Sequence, residues 1–130
     1  MSQEFVATAV LDSVRALPGF PALSILDLSC GRGEILRQLQ SEGCTVRGTR
    51  YRADDYKLVG ASAAALDERD IDSNVDLMQP LAYADASFDA VLLVEVVEHL
   101  PTWMPIVREA GRVLRPGGHL VLSTPNLARN

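Results

Sequence analysis

The sequence is short of cysteine and of long apolar runs, and each shortage excludes a class of protein. The 130 residues include only two cysteines, Cys30 and Cys44, which form no CxxC pair. We therefore expect two free thiols and no disulfide framework. No apolar run approaches the roughly 18 residues of a membrane helix, and the N-terminus lacks the basic and apolar blocks of a secretory signal. The sequence predicts a cytoplasmic protein with no membrane contact.

Basic residues are also in the minority, which argues against a nucleic-acid partner. Twelve lysines and arginines oppose 17 acidic residues and leave a net charge of −5. A polyanion needs a broad basic face, which this balance does not favour. Hydrophobic residues make up 48% and charged residues 22% of the chain, which excludes a disordered chain. The length predicts a single domain over residues 1–130.

Hydrophobic patterns predict strands that alternate with helices. A helical period runs from Phe5 to Leu17 and stops at Pro18, and a second helix follows Gly33. A third helix is predicted over 103–114 with Thr102 as its N-cap. Short apolar runs predict strands at 24–28, 44–49, 88–94 and 119–124. Such alternation is typical of parallel βαβ units with helices on both faces of one sheet.

The segment between Tyr51 and Leu77 has a weaker pattern. Ala61 to Leu66 favours a helix by propensity, whereas the acidic run from Asp67 to Asp72 favours a solvated loop. A short third strand is expected over 74–77.

A glycine-rich loop, Ser29-Cys30-Gly31-Arg32-Gly33, connects the first predicted strand to its helix. Glycine lets a ligand approach the backbone closely, and the N-terminus of the helix offers unpaired N–H groups to a negative group. The dinucleotide-binding pattern GxGxxG is not met, because Leu36 occupies the place of its third glycine.

The segment Ile25-Leu26-Asp27-Leu28-Ser29-Cys30-Gly31-Arg32-Gly33 resembles the first motif of the class I S-adenosylmethionine-dependent methyltransferases. Three later segments are similar to that family in the expected order, at 84–91, 95–100 and 112–120. Ser123-Thr124-Pro125-Asn126 resembles the branch with quinone-pathway O-methyltransferases and methyltransferases of small molecules and surface sugars. The resemblance implies a Rossmann-like, doubly wound α/β fold with a mostly parallel five-stranded sheet in the order 3-2-1-4-5.

The resemblance also implies S-adenosylmethionine as the cofactor, held at the carboxyl ends of the strands. Asp27 is expected to approach the cofactor's ammonium group directly or through water. The backbone around Ser29, Cys30, Gly31 and Gly33 is expected to hold the methionine part. The cofactor carries an ammonium and a sulfonium, so nearby carboxylates are electrostatically favourable.

Further site residues follow from the same resemblance. Asp76, with Leu77, occupies the position that accepts the adenine amino group, and Glu95 is expected near the sulfonium and the substrate. His99 is a candidate general base, with a reference pKa near 6.5. Glu95, Glu98 and His99 also have the spacing with which some relatives hold a divalent metal. The simpler interpretation is no metal, with Glu98 and His99 holding the loop.

Arg50 departs from the family pattern, because an acidic residue usually binds the ribose hydroxyls at this position. Arginine has donors and no acceptor. Three explanations stay open: Asp54 or Asp55 reaches back, ribose binding is weak, or the ligand carries an added anion for Arg50.

The sequence therefore predicts methyl transfer from S-adenosylmethionine to a small-molecule or sugar-type acceptor. The family usually continues past the fifth strand with a helix and an antiparallel hairpin, which this sequence lacks, so we expect a C-terminally incomplete domain. One alternative is a truncated cofactor-binding domain without activity. A weaker one is an NADP-dependent oxidoreductase. An exposed fifth strand with Leu120, Val121 and Leu122 also predicts a homodimer through that edge.

Overall fold

The computed structural model describes residues 3–52 and 65–125. Their helices and strands are α1 (Gln3–Arg15), β1 (Ser24–Asp27), α2 (Glu34–Ser41), β2 (Thr45–Thr49), β3 (Ile71–Asp72), β4 (Phe88–Val94), α3 (Met104–Val113) and β5 (Leu114–Ser123). Short 3-10 helices cover Glu68–Asp70 and Val97–His99. The strands pair in parallel in the order β3-β2-β1-β4-β5. The predicted fold class and strand order are confirmed.

The central strands are apolar on both sides, and this is why helices cover both faces of the sheet. Ile25 and Leu92 lie in one buried cluster with residues of α1 and α2. Leu26 and Val91 lie in the other cluster, with residues of α3. All four side chains are fully buried, as expected for strands in the middle of a parallel sheet.

The order of the strands reverses between β1 and β4. The chain runs outward from β1 through β2 to β3 on one side, and β4 and β5 lie on the other side. Crossovers on opposite faces leave a crevice beyond the carboxyl ends of the two central strands. Asp27 ends β1, and Glu95 follows the last residue of β4, so both carboxylates lie at this switch point.

The third strand lies earlier than predicted. The expected strand over 74–77 is wrong: β3 is Ile71–Asp72 and pairs with Gly48 and Thr49 of β2. Asn74 has φ +61°, in the left-handed region, which extended backbone does not use. Most of the helix expected over 61–66 lies outside the described residues.

The beginnings of α3 and β5 also differ from prediction. Trp103, not Thr102, occupies the N-cap position of α3, although the Thr102 hydroxyl still accepts a hydrogen bond from the Met104 amide at 3.4 Å. β5 begins at Leu114 instead of His119, because Leu114 already pairs with Phe88, before a register shift between Phe88 and Ala90. Within the described residues, no helix is long and apolar enough to cross a membrane.

Candidate functional site

A cavity of about 530 Å³ opens at the carboxyl ends of β1, β2 and β4. Five residues predicted for the cofactor or for catalysis line it: Ser29, Asp76, Leu77, Glu95 and His99. They come from three separate loops, after β1, β3 and β4, and are brought together by the sheet topology. A cleft at this edge is where open α/β sheets bind their ligands.

The other predicted site residues lie outside the lining of this cavity. Asp27 is two residues before Ser29 and is only 3% exposed. Cys30, Gly31 and Gly33 form the loop that continues from Ser29 to α2. Burial raises the pKa of the Cys30 thiol to about 12, which keeps it protonated and unreactive. Cys30 and Cys44 are both free, as predicted.

Two residues that line the cavity have a backbone conformation that residues other than glycine rarely adopt. Ser29 has φ +73° and Glu95 has φ +56°. Their amides are fixed by neighbouring strands: Ser29 donates to the Thr49 hydroxyl at 3.0 Å, and Glu95 donates to the Ser123 carbonyl at 2.9 Å. Such strain persists only where the surroundings impose it, and it concentrates at functional sites.

Two carboxylate oxygens at the switch point have no hydrogen-bond partner among the described residues. They are Oδ1 of Asp27 and Oε2 of Glu95, and both are buried. Burial raises the pKa of Asp27 to about 8, because the charged form loses its hydration. Unpaired buried polar atoms are costly. The unused acceptors therefore fit a ligand that brings hydrogen-bond donors and positive charge.

Gly33 allows the loop to pack against Leu66. Its φ is +77°, and a Cβ at this position would lie 2.6 Å from Cβ of Leu66. The Leu66 amide also donates to the carbonyl of Arg32 at 2.9 Å. The requirement for glycine at position 33 therefore comes from the fold as much as from a ligand.

The substitution Gly33→Ala is expected to lower the free energy of unfolding by about 1–3 kcal/mol more than Gly117→Ala. Gly117 has a similar φ of +82° but open space around it, so its substitution introduces backbone strain without a clash. Urea unfolding of both variants measures the difference. Equal losses would contradict the importance of the Leu66 contact.

Arg50 does not face the cavity but is buried against the glycine loop, with 2% of its surface exposed. Its guanidinium forms two hydrogen bonds of 2.9 Å with the carboxylate of Glu68 and one of 3.2 Å with the carbonyl of Gly31. The structure thus commits Arg50 to protein acceptors, which removes the reason to expect an added anion on the ligand. Asp54 and Asp55, the other candidates at the ribose, lie outside the described residues.

The acidic run after residue 66 is only partly a solvated loop. Asp72 in β3 forms a bidentate ion pair with Arg47 of β2 and accepts a hydrogen bond from the hydroxyl of Tyr83. The Arg47 guanidinium holds the pKa of Asp72 below its usual value. These contacts attach the short edge strand to the sheet.

Glu98 and His99, which follow β4, are neighbours: Oε2 of Glu98 lies 3.6 Å from Nε2 of His99. His99 lines the cavity and its side chain is 77% exposed, whereas Glu98 accepts a hydrogen bond from the Thr124 hydroxyl at 3.2 Å. Over the described residues, no group of three histidine, cysteine or acidic side chains is arranged to hold a metal ion. Asp76 accepts a hydrogen bond from the Met78 amide at 2.9 Å, and this shapes the turn beside Leu77.

Thr49 and Tyr51 also line the cavity but were not predicted from the sequence. Thr49 is the last residue of β2 and is fully buried, and its carbonyl accepts a hydrogen bond from the Cys30 amide at 2.8 Å. The signal that could have identified it is its position at the carboxyl end of a strand next to the switch point.

Comparison with known proteins identifies relatives of this chain. The family described as "Methyltransferase domain" matches residues 26–122. The chain is 37% identical over 101 residues to the 27-O-demethylrifamycin SV methyltransferase of Amycolatopsis mediterranei, covering 75% of this chain and 37% of that protein. It is 35% identical over 121 residues to the ubiquinone biosynthesis O-methyltransferase of Xanthomonas campestris, and this match covers 89% of this chain and 48% of that protein. The chain thus spans about a third to a half of the length of these relatives.

Solved structures show the same fold. An S-adenosylmethionine-dependent methyltransferase from Mesorhizobium loti superposes with a TM-score of 0.70 at 29% identity, covering 92% of this chain and 53% of that one. A protein of Pyrococcus horikoshii superposes with a TM-score of 0.71 at 23% identity, and the match covers 93% of this chain and 58% of that one. The second likeness concerns the fold alone.

Proposed function

The chain belongs to the methyltransferase-domain family, and on that basis we propose that it binds S-adenosylmethionine and transfers its methyl group to a small-molecule or sugar-type acceptor. The observation that carries the proposal is the pair of buried, unpartnered carboxylate oxygens of Asp27 and Glu95 at the switch point. Carboxylate oxygens that receive no hydrogen bond from the described residues fit a cationic ligand, and S-adenosylmethionine carries both an ammonium and a sulfonium.

The residues present divide between the two ends of such a ligand. Asp27 would face the ammonium, directly or through water, and the backbone of the glycine loop would hold the methionine part. Asp76 and Leu77 would contact the adenine at the far side of the cavity. Glu95 would lie beside the sulfonium. The cofactor supplies an activated methyl group and leaves as a neutral thioether, so the protein mainly aligns and desolvates the reactants.

A second cavity of about 340 Å³ supports an acceptor site next to the cofactor. It lies between α1 and the end of β5, with Val6, Ala9 and Leu122 as apolar walls and Ser123 and Glu95 as polar ones. Glu95 lines both cavities. An acceptor with an apolar body and a hydroxyl would place that hydroxyl near this carboxylate. His99, which lines the first cavity, is the candidate general base if the acceptor must lose a proton.

Calorimetric titration with S-adenosylmethionine, S-adenosylhomocysteine and NADP tests the proposal. We expect the first two to bind and NADP not to bind, since Leu36 breaks the dinucleotide pattern and Arg50 is engaged by Glu68. Binding of NADP alone would favour the oxidoreductase. Binding of none would identify a methyltransferase fold without cofactor affinity.

We also propose that the β5 edge pairs with a second copy of the chain. Among residues 3–52 and 65–125, β5 has a neighbouring strand on one side only, and Leu120 and Leu122 are 36% and 46% exposed. An exposed apolar edge strand offers unpaired backbone groups and side chains to another strand.

The substitution Leu122→Lys is expected to shift the protein from dimer to monomer, because it places a charge on this edge. Met104→Lys is the control, since Met104 is 51% exposed and belongs to α3 instead of the β5 edge. Light scattering of the eluting protein gives the mass of each variant. A monomeric parent chain would refute the pairing.

A further inference from the structure

The ion pair between Arg50 and Glu68 connects the region around β2 and β3 to the glycine loop. Arg50 follows β2 directly, and Glu68 begins the short 3-10 helix before β3. The two strands also pair directly, through Gly48–Ile71 and Thr49–Asp72. The Arg50 guanidinium reaches the glycine loop, where it donates to the carbonyl of Gly31 at 3.2 Å.

Thr49 holds the start of the glycine loop through the amides of Ser29 and Cys30, whereas the glycines that follow add backbone freedom. Gly31 and Gly33 both have positive φ, +62° and +77°, and glycine loses more conformational freedom on folding than any other residue. The carbonyl and the following N–H of a trans peptide point in opposite directions. A bond to the Gly31 carbonyl therefore also sets the direction of the Arg32 amide, on the opposite side of the peptide from Arg50.

The segment before β3 supplies further attachments of the loop. The Leu66 amide donates to the Arg32 carbonyl at 2.9 Å, and the Leu66 side chain packs where Gly33 lacks a Cβ. Two residues later, Glu68 holds Arg50 with two bonds of 2.9 Å. Residues 66–68, which we call the loop strap, thus contact the glycine loop directly and through Arg50.

Charge gives a second reason for the pair. The guanidinium of Arg50 is buried beside a site that we expect to receive a ligand with two positive charges, and an isolated cation there would oppose binding. The carboxylate of Glu68 neutralises it at hydrogen-bond distance. Glu68 itself is 69% exposed, so its loss should not disturb the core.

We propose that Arg50, held by Glu68, is a positioning residue that fixes the glycine loop in its cofactor-binding conformation. This inference rests on the proposed function and assigns a new role to the position where relatives carry an acidic residue. Arg50 acts through the Gly31 peptide and not by touching the ligand.

The chain contains a matched control for this proposal. Arg47, which lies in β2 three residues before Arg50, also forms a bidentate pair with a carboxylate, that of Asp72. It also donates to a backbone carbonyl, that of Arg69, at 3.0 Å. That carbonyl lies outside the glycine loop. Arg47→Met therefore removes an equivalent set of bonds without loosening the loop.

The test compares Arg50→Met and Glu68→Gln with Arg47→Met by calorimetric titration with S-adenosylhomocysteine, at a temperature where each variant is folded. We expect Arg50→Met to weaken binding by about tenfold or more and Glu68→Gln by about threefold to tenfold, from the lost charged hydrogen bonds. Arg47→Met should bind within about twofold of the parent chain. Equal affinities for Arg50→Met and the parent would overturn the proposal.

Hydrogen exchange without ligand separates this inference from the proposed function. We expect the amides of 30–34 to exchange faster in Arg50→Met than in Arg47→Met. If the parent chain fails to bind S-adenosylhomocysteine but this difference is seen, the proposed function is wrong and the Arg50 restraint is real. Unchanged exchange in Arg50→Met would overturn the restraint whatever the ligand result.

Discussion

Replacing Asp27 with asparagine is expected to remove most of the affinity for S-adenosylmethionine while stabilising the unliganded fold. Asp27 is 3% exposed, and one of its oxygens has no hydrogen-bond partner in the part of the chain that the structure describes. Burial raises its pKa to about 8. Asparagine has the same shape, but it cannot become the anion that a bound ammonium requires. We expect binding to weaken by about 100-fold, the scale of a buried charge pair that loses one partner.

The stabilisation follows from the direction of the pKa shift. The pKa of Asp27 is higher in the folded chain, at about 8, than its ordinary value of 3.8. Between these values the unfolded state has released the proton and the folded state retains it, so stability falls as pH rises and levels off above pH 8. Asparagine does not titrate. We therefore expect Asp27→Asn to match the parent near pH 4 and to exceed it by about 2 kcal/mol or more at pH 8.

Urea unfolding at several pH values measures this stability difference, and calorimetry measures the affinity. Asp12→Asn is the control, because the side chain of Asp12 is 68% exposed on α1 and should change neither quantity. A destabilised Asp27→Asn variant would show that the carboxylate has a structural partner. An unchanged affinity would place the ammonium elsewhere.

The helices and strands with a regular hydrophobic pattern were predictable from the sequence. β1 and β4 are continuous apolar runs and α3 has an apolar stripe, so their existence and type follow from hydrophobic periodicity alone. β3 was misplaced because it has two residues, of which Ile71 is buried and Asp72 is paired with Arg47. The residues of such a strand are decided by tertiary partners, which the local pattern does not contain.

The candidate site was predictable where it depends on position along a strand. Ser29, Asp76, Leu77, Glu95 and His99 all line the cavity, as the order of the motifs implies. The direction of the Arg50 side chain was not predictable, because its partner Glu68 is 18 residues away and belongs to a run that looked solvated. The unpartnered oxygens of Asp27 and Glu95 likewise depend on how the surrounding strands exclude other donors.

Replacing Glu95 with glutamine is expected to weaken S-adenosylmethionine binding by about 30-fold while changing S-adenosylhomocysteine binding by less than about threefold. The two ligands share the ammonium, but only the first carries a sulfonium. Glu95 has a buried oxygen without a partner and lines both the cofactor cavity and the cavity proposed for the acceptor. A carboxylate beside the sulfonium therefore stabilises bound S-adenosylmethionine through charge and has little effect on bound S-adenosylhomocysteine.

The contrast between the two carboxylates makes their roles separable. Asp27→Asn should weaken both ligands equally, because each carries the ammonium, whereas Glu95→Gln should discriminate between them. Glu98→Gln is the control, since Glu98 is engaged by the Thr124 hydroxyl and should alter neither affinity. Equal losses for both ligands in Glu95→Gln would place Glu95 at the shared part of the cofactor. Because the left-handed backbone of Glu95 is fixed by Ser123 of β5, glutamine should keep the side chain in place, so the difference would report charge.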